Sequence, residues 1–431
     1  MPRDIANRAH APLDWSFKAL PATEDEVGLA DIASLGWNVL AEDLVLPAAV
    51  IRESALTHNL DWMRRFCELA GVEICPHGKT TMSPQLFELQ LAQGAWGMTA
   101  ATVGHVRVYR HFGIERIILA AQLVGKQNIL YILDQLARDP KLDFYCLVDS
   151  VEGVEILEMA IAAHPARPPV QVLLELGIVG GRAGVRDDEA VIALAERIAG
   201  SPYLRLRGIE AFEGIVQGDM SSKELHVRGL VERMAATGEI CNAKALFDGP
   251  PLLTAGGSAF FDLVTAGLCD APFSRDFTVI LRSGCYLTHD SEHYAMMAAR
   301  IAERSPAAKS LGEGLRPAIE LWAYVHSRPE PTRVIAGIGK RDASHDLQLP
   351  RPLGCYRPGK GAKVELLGVD HRTVRLDDQH AYLDVPESSS LQPGDMLCFG
   401  ISHPCTTFDR WQALYLADDA LNVTGAVRTY F

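Results

Sequence analysis

The sequence predicts an α/β fold, a (β/α)8 barrel of the TIM type joined to a second, mostly antiparallel β domain. Apolar, strand-like runs alternate with helix-like segments through the middle of the chain, in units of about 25–35 residues repeated some eight times. Several of these runs are almost unbroken in their apolar character, as a parallel strand covered on both faces requires. After about residue 285 the texture changes to short alternating runs between Pro- and Gly-rich turns. A doubly wound open sheet is the competing arrangement, and periodicity does not separate the two.

The strand candidates, in order, are LVLPAAVI (44–51), VEICPHG (72–78), WGMTAAT (96–102), RIILAAQLV (116–124), LDFYCLV (142–148), VQVLLELG (170–177), LRGIEAFEG (206–214), PLLTAGG (251–257) and FTVILRSG (277–284). Between them lie helix signals. Ser83-Pro84 has the form of a cap followed by a first-turn proline, and Gly94 closes that helix. Asp187 and Asp188 precede an apolar pattern at Val191, Leu194, Ala195 and Ile198, with Gly200 after it. Beyond residue 285, KVELLGV, RTVRLDD and AYLDV read as short strands separated by turns such as LPRPLGCYRPGKGAK and LQPGDML. The expected division is an N-terminal segment over 1–40 packing with the C-terminal domain, a barrel over 41–284, and a β domain over 285–431.

The bulk properties exclude several classes of function. In 431 residues, apolar side chains make up 48% and charged ones 22%, ordinary values for a protein with a large core. The formal charge is −13 and no basic stripe runs along any segment, so nucleic acid is not an expected partner. No apolar run approaches the ~18 residues of a membrane helix, and MPRDIANRAHAPLDW lacks the apolar core of a signal peptide. The nine cysteines are scattered, without CxxC pairs, which fits reduced thiols and a cytoplasmic location.

Three segments carry chemistry. Cys75-Pro76-His77-Gly78-Lys79-Thr80-Thr81 ends the second strand candidate, and active sites of such barrels gather at that end. A partly desolvated lysine there has a lowered pKa, as imine formation needs, although an isolated lysine of this kind is more often a surface residue. Thr254-Ala255-Gly256-Gly257-Ser258 follows a late strand, where two glycines let backbone amides approach a phosphate and Ser258 adds a hydroxyl. An ordinary turn is the plainer reading of GGS alone. His403-Pro404-Cys405 offers imidazole and thiolate, which suit zinc; two ligands leave positions open, the catalytic pattern, whereas a turn histidine beside a buried cysteine is the bland alternative. Arg182, after VLLELG, and Gln122, ending IILAAQ, stand at strand ends but are uninformative alone. No Gly-x-Gly-x-x-Gly opens a helix after a strand, PGKGAK lacks Walker spacing, and no Gly-x-Ser-x-Gly elbow appears.

In order along the chain, these segments resemble the D-serine dehydratase and D-threonine aldolase family, of the alanine-racemase-like, fold-type III pyridoxal-phosphate enzymes. The resemblance is widest over PHGKTTMSPQLFELQLAQGAWGMTAATVGHVRVYRHFGI (76–114) and continues through LAAQLVG, ELGIVGGRAGV, LRGIEAFEG, TAGGS, LRSGCYLTHD and ISHPCTTFD, roughly residues 45 to 410. It implies that Lys79 is the Schiff-base lysine and that Gly256, Gly257 and Ser258 form the phosphate loop. It further implies that backbone amides of Gly284 and Cys285 contact the phosphate. By the same resemblance Arg182 lies near the phenolic oxygen, Gln122 lies beside the ring, and His403 and Cys405 hold zinc or another divalent metal. This chain departs from the pattern at Gly78, where Ala is usual, and at Phe212-Glu213, where Tyr-His is usual. Asp370-His371 falls where an acidic-His pair is common.

The resemblance therefore implies a lyase acting on a small D-3-hydroxy amino acid, in a homodimer, with dehydration and deamination of the D-serine type first in line. A D-3-hydroxyamino-acid aldolase is the alternative. An amino-acid racemase would need a second base on the opposite face. A carrier of pyridoxal phosphate would lack the C-terminal domain and its His-x-Cys pair.

Overall fold

The computed structural model describes residues 12–431 apart from 23–24, 217, 275 and 362. Strand β1 (Ala48–Arg52) stands apart from the eight that follow it. Those are β2 (Glu73–Ile74), β3 (Met98–Ala100), β4 (Arg116–Gln122), β5 (Asp143–Val148), β6 (Val170–Leu176), β7 (Leu204–Ala211), β8 (Leu252–Ala255) and β9 (Thr278–Leu281). They are all parallel and hydrogen-bonded in the order β2-β9-β8-β7-β6-β5-β4-β3. The two ends of this sheet meet: the Trp96 N–H donates to the Ile74 carbonyl (2.7 Å), and the Thr99 N–H to that of Pro76 (2.8 Å). The barrel is thereby joined, as the alternating pattern predicts.

Side-chain alternation along the strands explains why the runs read as continuously apolar. On β4, Ile117 and Leu119 join the large outer core while Ile118 joins a separate inner cluster. Phe144 and Cys146 against Tyr145 and Leu147 on β5, and Val172 and Leu174 against Leu173 on β6, divide in the same way. Both sides of each strand are dry, one under helices and the other inside the barrel.

The helices between strands are α1 (Glu53–Ala70), α2 (Pro84–Ala92), α3 (Val103–His111), α4 (Lys126–Arg138), α5 (Val151–Ala163), α6 (Asp188–Ala199), α7 (Met220–Ala243) and α8 (Phe261–Cys269). Asp187 caps α6, its side chain accepting from the Ala190 N–H at 2.8 Å. Pro84 opens α2 as expected, but the Ser83 side chain makes no capping bond.

Two parts of the chain differ from the sequence reading. The run at 44–51 does form a strand, β1, but it pairs antiparallel with β10 (Ile319–Glu330) and parallel with a strand near residue 415, outside the barrel. Residues 48–51 are fully buried there, so the composition of β1 matches that of a barrel strand although its partners differ. Residues 285–318 add no strand to the β domain, although the Ser291 N–H donates to the Ile401 carbonyl, just past the strand at 396–400 (2.9 Å). They carry α9 (His293–Arg304) and α10 (Pro306–Ser310), and Arg304 clamps α9 to the barrel through both oxygens of Asp262 on α8 (2.5 and 2.9 Å) and through Glu224 on α7 (2.6 Å).

The second domain continues with β11 (Arg333–Ala336), β12 (Arg351–Tyr356), β13 (Glu365–Leu366), β14 (Arg372–Leu376), β15 (Ala381–Asp384), β16 (Met396–Gly400), β17 (Ala413–Ala417) and β18 (Val423–Arg428). Its main order is β13-β12-β16-β10-β1-β17-β18, with β11, β15 and β14 branching from β10, and every pairing but β1–β17 is antiparallel. Residues 1–11 of the N-terminal segment lie outside the described residues. The remainder contacts this domain: Lys18 Nζ bonds Asp342 (2.9 Å), the Tyr415 hydroxyl donates to the Ala19 carbonyl (3.3 Å), and the Val423 N–H donates to that of Trp37 (2.8 Å). Among the described residues no helix is long and apolar enough to cross a membrane.

Candidate active site

The C-terminal ends of the barrel strands surround a cavity of about 500 Å³, closed on one side by the second domain. Lys79, Gln122, Arg182, Gly257, Ser258, Gly284, Cys285, His403 and Cys405 all line it. Gly256 lies just behind, buried, with φ +85°, a backbone conformation that glycine adopts without strain. The structure thus brings together segments more than 300 residues apart: Thr80, next to Lys79, lies 3.3 Å from the Cys405 sulfur.

Lys79 sits in a short 3-10 turn, Gly78–Thr80, immediately after β2. The turn packs tightly. A Cβ on Gly78 would come within 2.3 Å of the Tyr109 hydroxyl and 3.0 Å of Phe87, which explains glycine where alanine is usual. A Cβ on Gly284 would meet the His77 carbonyl at 2.5 Å and Thr80 Oγ1 at 2.6 Å, so β9 ends in direct contact with the lysine turn. Burial, followed by the charges of Lys79 and Arg282, holds the His77 imidazole well below its usual range, and it remains neutral.

The glycine loop after β8 already binds an oxyanion of this chain. The Glu213 carboxylate accepts from the N–H groups of Gly256 (3.2 Å) and Gly257 (2.5 Å). Opposite, the Cys285 N–H donates to Ser258 Oγ (3.2 Å). Phe212, beside Glu213, lines the cavity with the Arg182 guanidinium 5.1 Å from its ring centre.

The sequence reading did not single out the carboxylates on the strands. Glu175 on β6 and Glu210 on β7 are register partners and both face the cavity. Glu175 accepts a hydrogen bond from Gln122. Glu210 pairs with Arg282, which also donates to Thr254 Oγ1 and the Ala211 carbonyl, both at 3.0 Å. Burial pushes Glu210 up to about 7 against the pull of Arg282, and its second oxygen has no partner. The available signal was an acid inside an otherwise apolar strand run.

His403 and Cys405 face the cavity from the second domain. The His403 Nδ1 meets Asp346 at 2.6 Å, leaving Nε2 free of that contact, and Asp346 also accepts from Thr406 (2.7 Å). Burial pulls His403 down, but Cys405 and Asp346 outweigh it and hold the imidazole up to about 9. Cys405 lies 3.5 Å from the Cys285 sulfur. That contact, with His403 and Thr80 acting the same way against burial, holds Cys405 well below the usual thiol range; Cys285 is driven well above it, chiefly by the same contact. Among the described residues no group of three or more His, Cys, Asp or Glu converges as a metal cage. Asp370 and His371 lie elsewhere: they bond each other (2.9 Å), and His371 reaches Ser389 (3.0 Å), away from the cavity.

A parallel barrel with a lysine turn, a glycine anion loop and a covering antiparallel domain defines an alanine-racemase-like architecture. The chain belongs to the family of the alanine racemase N-terminal domain, which matches residues 51–267, and a serine dehydratase domain matches residues 318–417. This is the fold-type III class of pyridoxal-phosphate enzymes. The chain is 26% identical over 377 residues to D-threonine aldolase of Arthrobacter sp, covering 87% of this chain and 89% of that protein. It is 27% identical over 248 residues to D-threo-3-hydroxyaspartate dehydratase of Delftia sp. (strain HT23), covering 52% of this chain and 64% of that one. The crystal structure of D-threonine aldolase from Filomicrobium marinum superposes with a TM-score of 0.73 at 22% identity, over 92% of this chain and 98% of that one.

Proposed function

We propose that this chain is a pyridoxal-phosphate- and metal-dependent lyase of D-3-hydroxy amino acids, of the D-serine dehydratase type. One observation carries the reading: Lys79, the Gly256–Ser258 loop and the His403–Cys405 pair, drawn from three distant segments, meet around one cavity. The residues fit the cofactor. The glycine loop accepts an oxyanion on two amides, as the Glu213 carboxylate demonstrates, and Gly284 leaves no room for a side chain between β9 and the lysine turn. The donor set fits a divalent metal as well. A thiolate and an imidazole suit zinc, and Asp346 on the far ring nitrogen orients His403 as a carboxylate behind a ligating histidine does.

In this reading Lys79 would hold the cofactor covalently through its aldehyde, Gly256, Gly257, Ser258 and the Gly284–Cys285 backbone would hold its phosphate, and Arg182 and Gln122 would lie beside its ring. The cofactor, when bound, supplies an electron sink for the carbanion at Cα. The Lys79 amine, which lines the cavity, would take the Cα proton as general base. His403 and Cys405 would hold the metal, whose contribution is Lewis-acid withdrawal from the β-hydroxyl. The hydroxyl leaves with its bonding electrons and is protonated to water; hydrolysis of the remaining enamine nitrogen then consumes one water, so the amino acid yields a keto acid and ammonia.

An aldolase is the second reading, favoured by the length over which the D-threonine aldolase of Arthrobacter sp matches. There a base removes the hydroxyl proton and the Cα–Cβ bond breaks. Incubation with D-serine and with D-threonine separates the two. Keto acid and ammonia from D-serine support the dehydratase; acetaldehyde and glycine from D-threonine, with no keto acid from D-serine, move the assignment to the aldolase.

A further inference from the structure

We infer that the Glu213 carboxylate is a built-in competitor for the anion loop, so that a phosphate group enters the site only as Glu213 withdraws from the Gly256 and Gly257 amides. This rests on the reading of that loop as the phosphate site. Glu213 is 1% exposed and lies at the start of a short turn after β7, where its two oxygens take the two amides separately. A carboxylate held this way forms charge-assisted hydrogen bonds, the same kind a phosphate oxygen would form. Both anions cannot use one pair of N–H groups, and two negative charges in a dry site repel.

Arg282 acts on Glu213 through its charge, but its hydrogen bonds go to Glu210, Thr254 and the Ala211 carbonyl, and Arg182 lies over the Phe212 ring. The loop amides of Gly256 and Gly257 are what bond the Glu213 carboxylate directly. Burial pushes this carboxyl above the ordinary range, while Arg282 and the two loop amides pull it back toward the charged form. The third donor of the cradle, the Cys285 N–H, is likewise taken by the Ser258 hydroxyl. With the phosphate absent, the chain satisfies its own anion site, and Glu213 keeps the Gly256–Gly257 backbone in the form that receives an oxyanion.

The test titrates wild-type protein and Glu213→Gln with inorganic phosphate, with pyridoxal 5'-phosphate and with pyridoxal. Gln keeps an oxygen acceptor for the amides but removes the charge. Glu213→Ser, which withdraws the acceptor from the loop, guards against an effect peculiar to the amide. The expected result is at least tenfold tighter binding of phosphate and of pyridoxal 5'-phosphate in both variants, with pyridoxal unchanged because it lacks the competing group. Phosphate binding in both variants no tighter than in wild type overturns the inference. Absence of a yellow covalent adduct with pyridoxal 5'-phosphate in all three proteins overturns the lyase reading instead, and the inorganic phosphate titration still decides the competition.

Discussion

The Glu210–Arg282 pair links β7 to β9 across β8 and lies at the floor of the cavity, with side-chain exposures of 2% and 5%. Arg282→Met removes the cation while keeping most of the volume. Breaking a buried pair by deleting one partner costs about 3–5 kcal/mol, a large share of a typical folding stability of about 5–15 kcal/mol. The cost depends on pH in a definite direction. Burial raises Glu210 to about 7 in the folded protein even with Arg282 present, and removing Arg282 raises it further. An acid raised on folding contributes stability that is present below its unfolded pKa and lost as pH rises through its folded pKa. At about pH 5.5 Glu210 is largely protonated in both proteins, and the variant loses mainly the Arg282 bonds to Thr254 and Ala211, about 0.5–1.5 kcal/mol each. At about pH 8.5 the wild type holds an ion pair while the variant must bury either a lone charge or a proton taken up at high pH, so the full 3–5 kcal/mol appears. Urea unfolding of both proteins at the two pH values measures the difference. An equal loss at both, or a loss below about 1 kcal/mol at the higher pH, refutes the electrostatic account of this pair.

Borohydride treatment of the yellow protein should fix the cofactor on Lys79, and peptide mapping that finds it on another lysine removes the assignment. Gly257→Val places a branched side chain against Phe212 and Glu213, where a Cβ alone already lies at 3.1 and 3.2 Å, and should abolish cofactor retention on gel filtration; Ser258→Ala should weaken it by about 1.5–3 kcal/mol. Chelation or Cys405→Ala should stop keto-acid release while the yellow colour survives, since Lys79 and the glycine loop do not depend on the metal; full activity in stripped protein would leave the pair structural. Asp290, driven up to about 7 by burial while one oxygen accepts from the Glu292, Tyr294 and Ala295 amides, should make stability fall as pH rises from about 4 to about 7. Asp290→Asn keeps the acceptor and should flatten that part of a melting-temperature profile.

Most of the barrel was legible because burial on both sides of a strand leaves a continuous apolar run, and the glycines and caps mark where each run stops. The same rule misplaced β1, since a strand between two neighbours in a ten-stranded sheet is as dry as one in a barrel. Residues 285–318 were grouped with the β domain because the change of texture was placed at about residue 285, whereas the turns and alternating runs that mark it lie further along, and here Ser305 and Pro306 cap and open a short helix. At the site, Lys79, Gly257 and His403 belong to recognisable local patterns. Asp346 and Tyr294 do not: one is an acid in a polar loop, 57 residues from the histidine it orients, and the other, which lines the cavity with its ring centre 6.4 Å from that of His403, is a tyrosine on an ordinary amphipathic helix. Only three-dimensional placement gives them meaning. Glu213 was visible as a departure, but its seat on the glycine loop depends on how the turn after β7 meets the end of β8.

The position of β1 between β10 and β17 has a consequence for biosynthesis. The barrel is spliced into the second sheet like a clause between brackets, with one bracket at residues 48–52 and the others at 319–330 and 413–417. During translation β1 emerges long before either neighbour and must wait, edges bare, for some of the last strands to leave the ribosome. The eight barrel strands, in contrast, acquire each partner within a few tens of residues, apart from the closure of β9 on β2. All eight barrel strands are therefore translated before either neighbour of β1. Because His403 and Cys405 lie in the late part, the residues of the pocket's second wall leave the ribosome only when the chain is almost entirely made, more than 300 residues after Lys79.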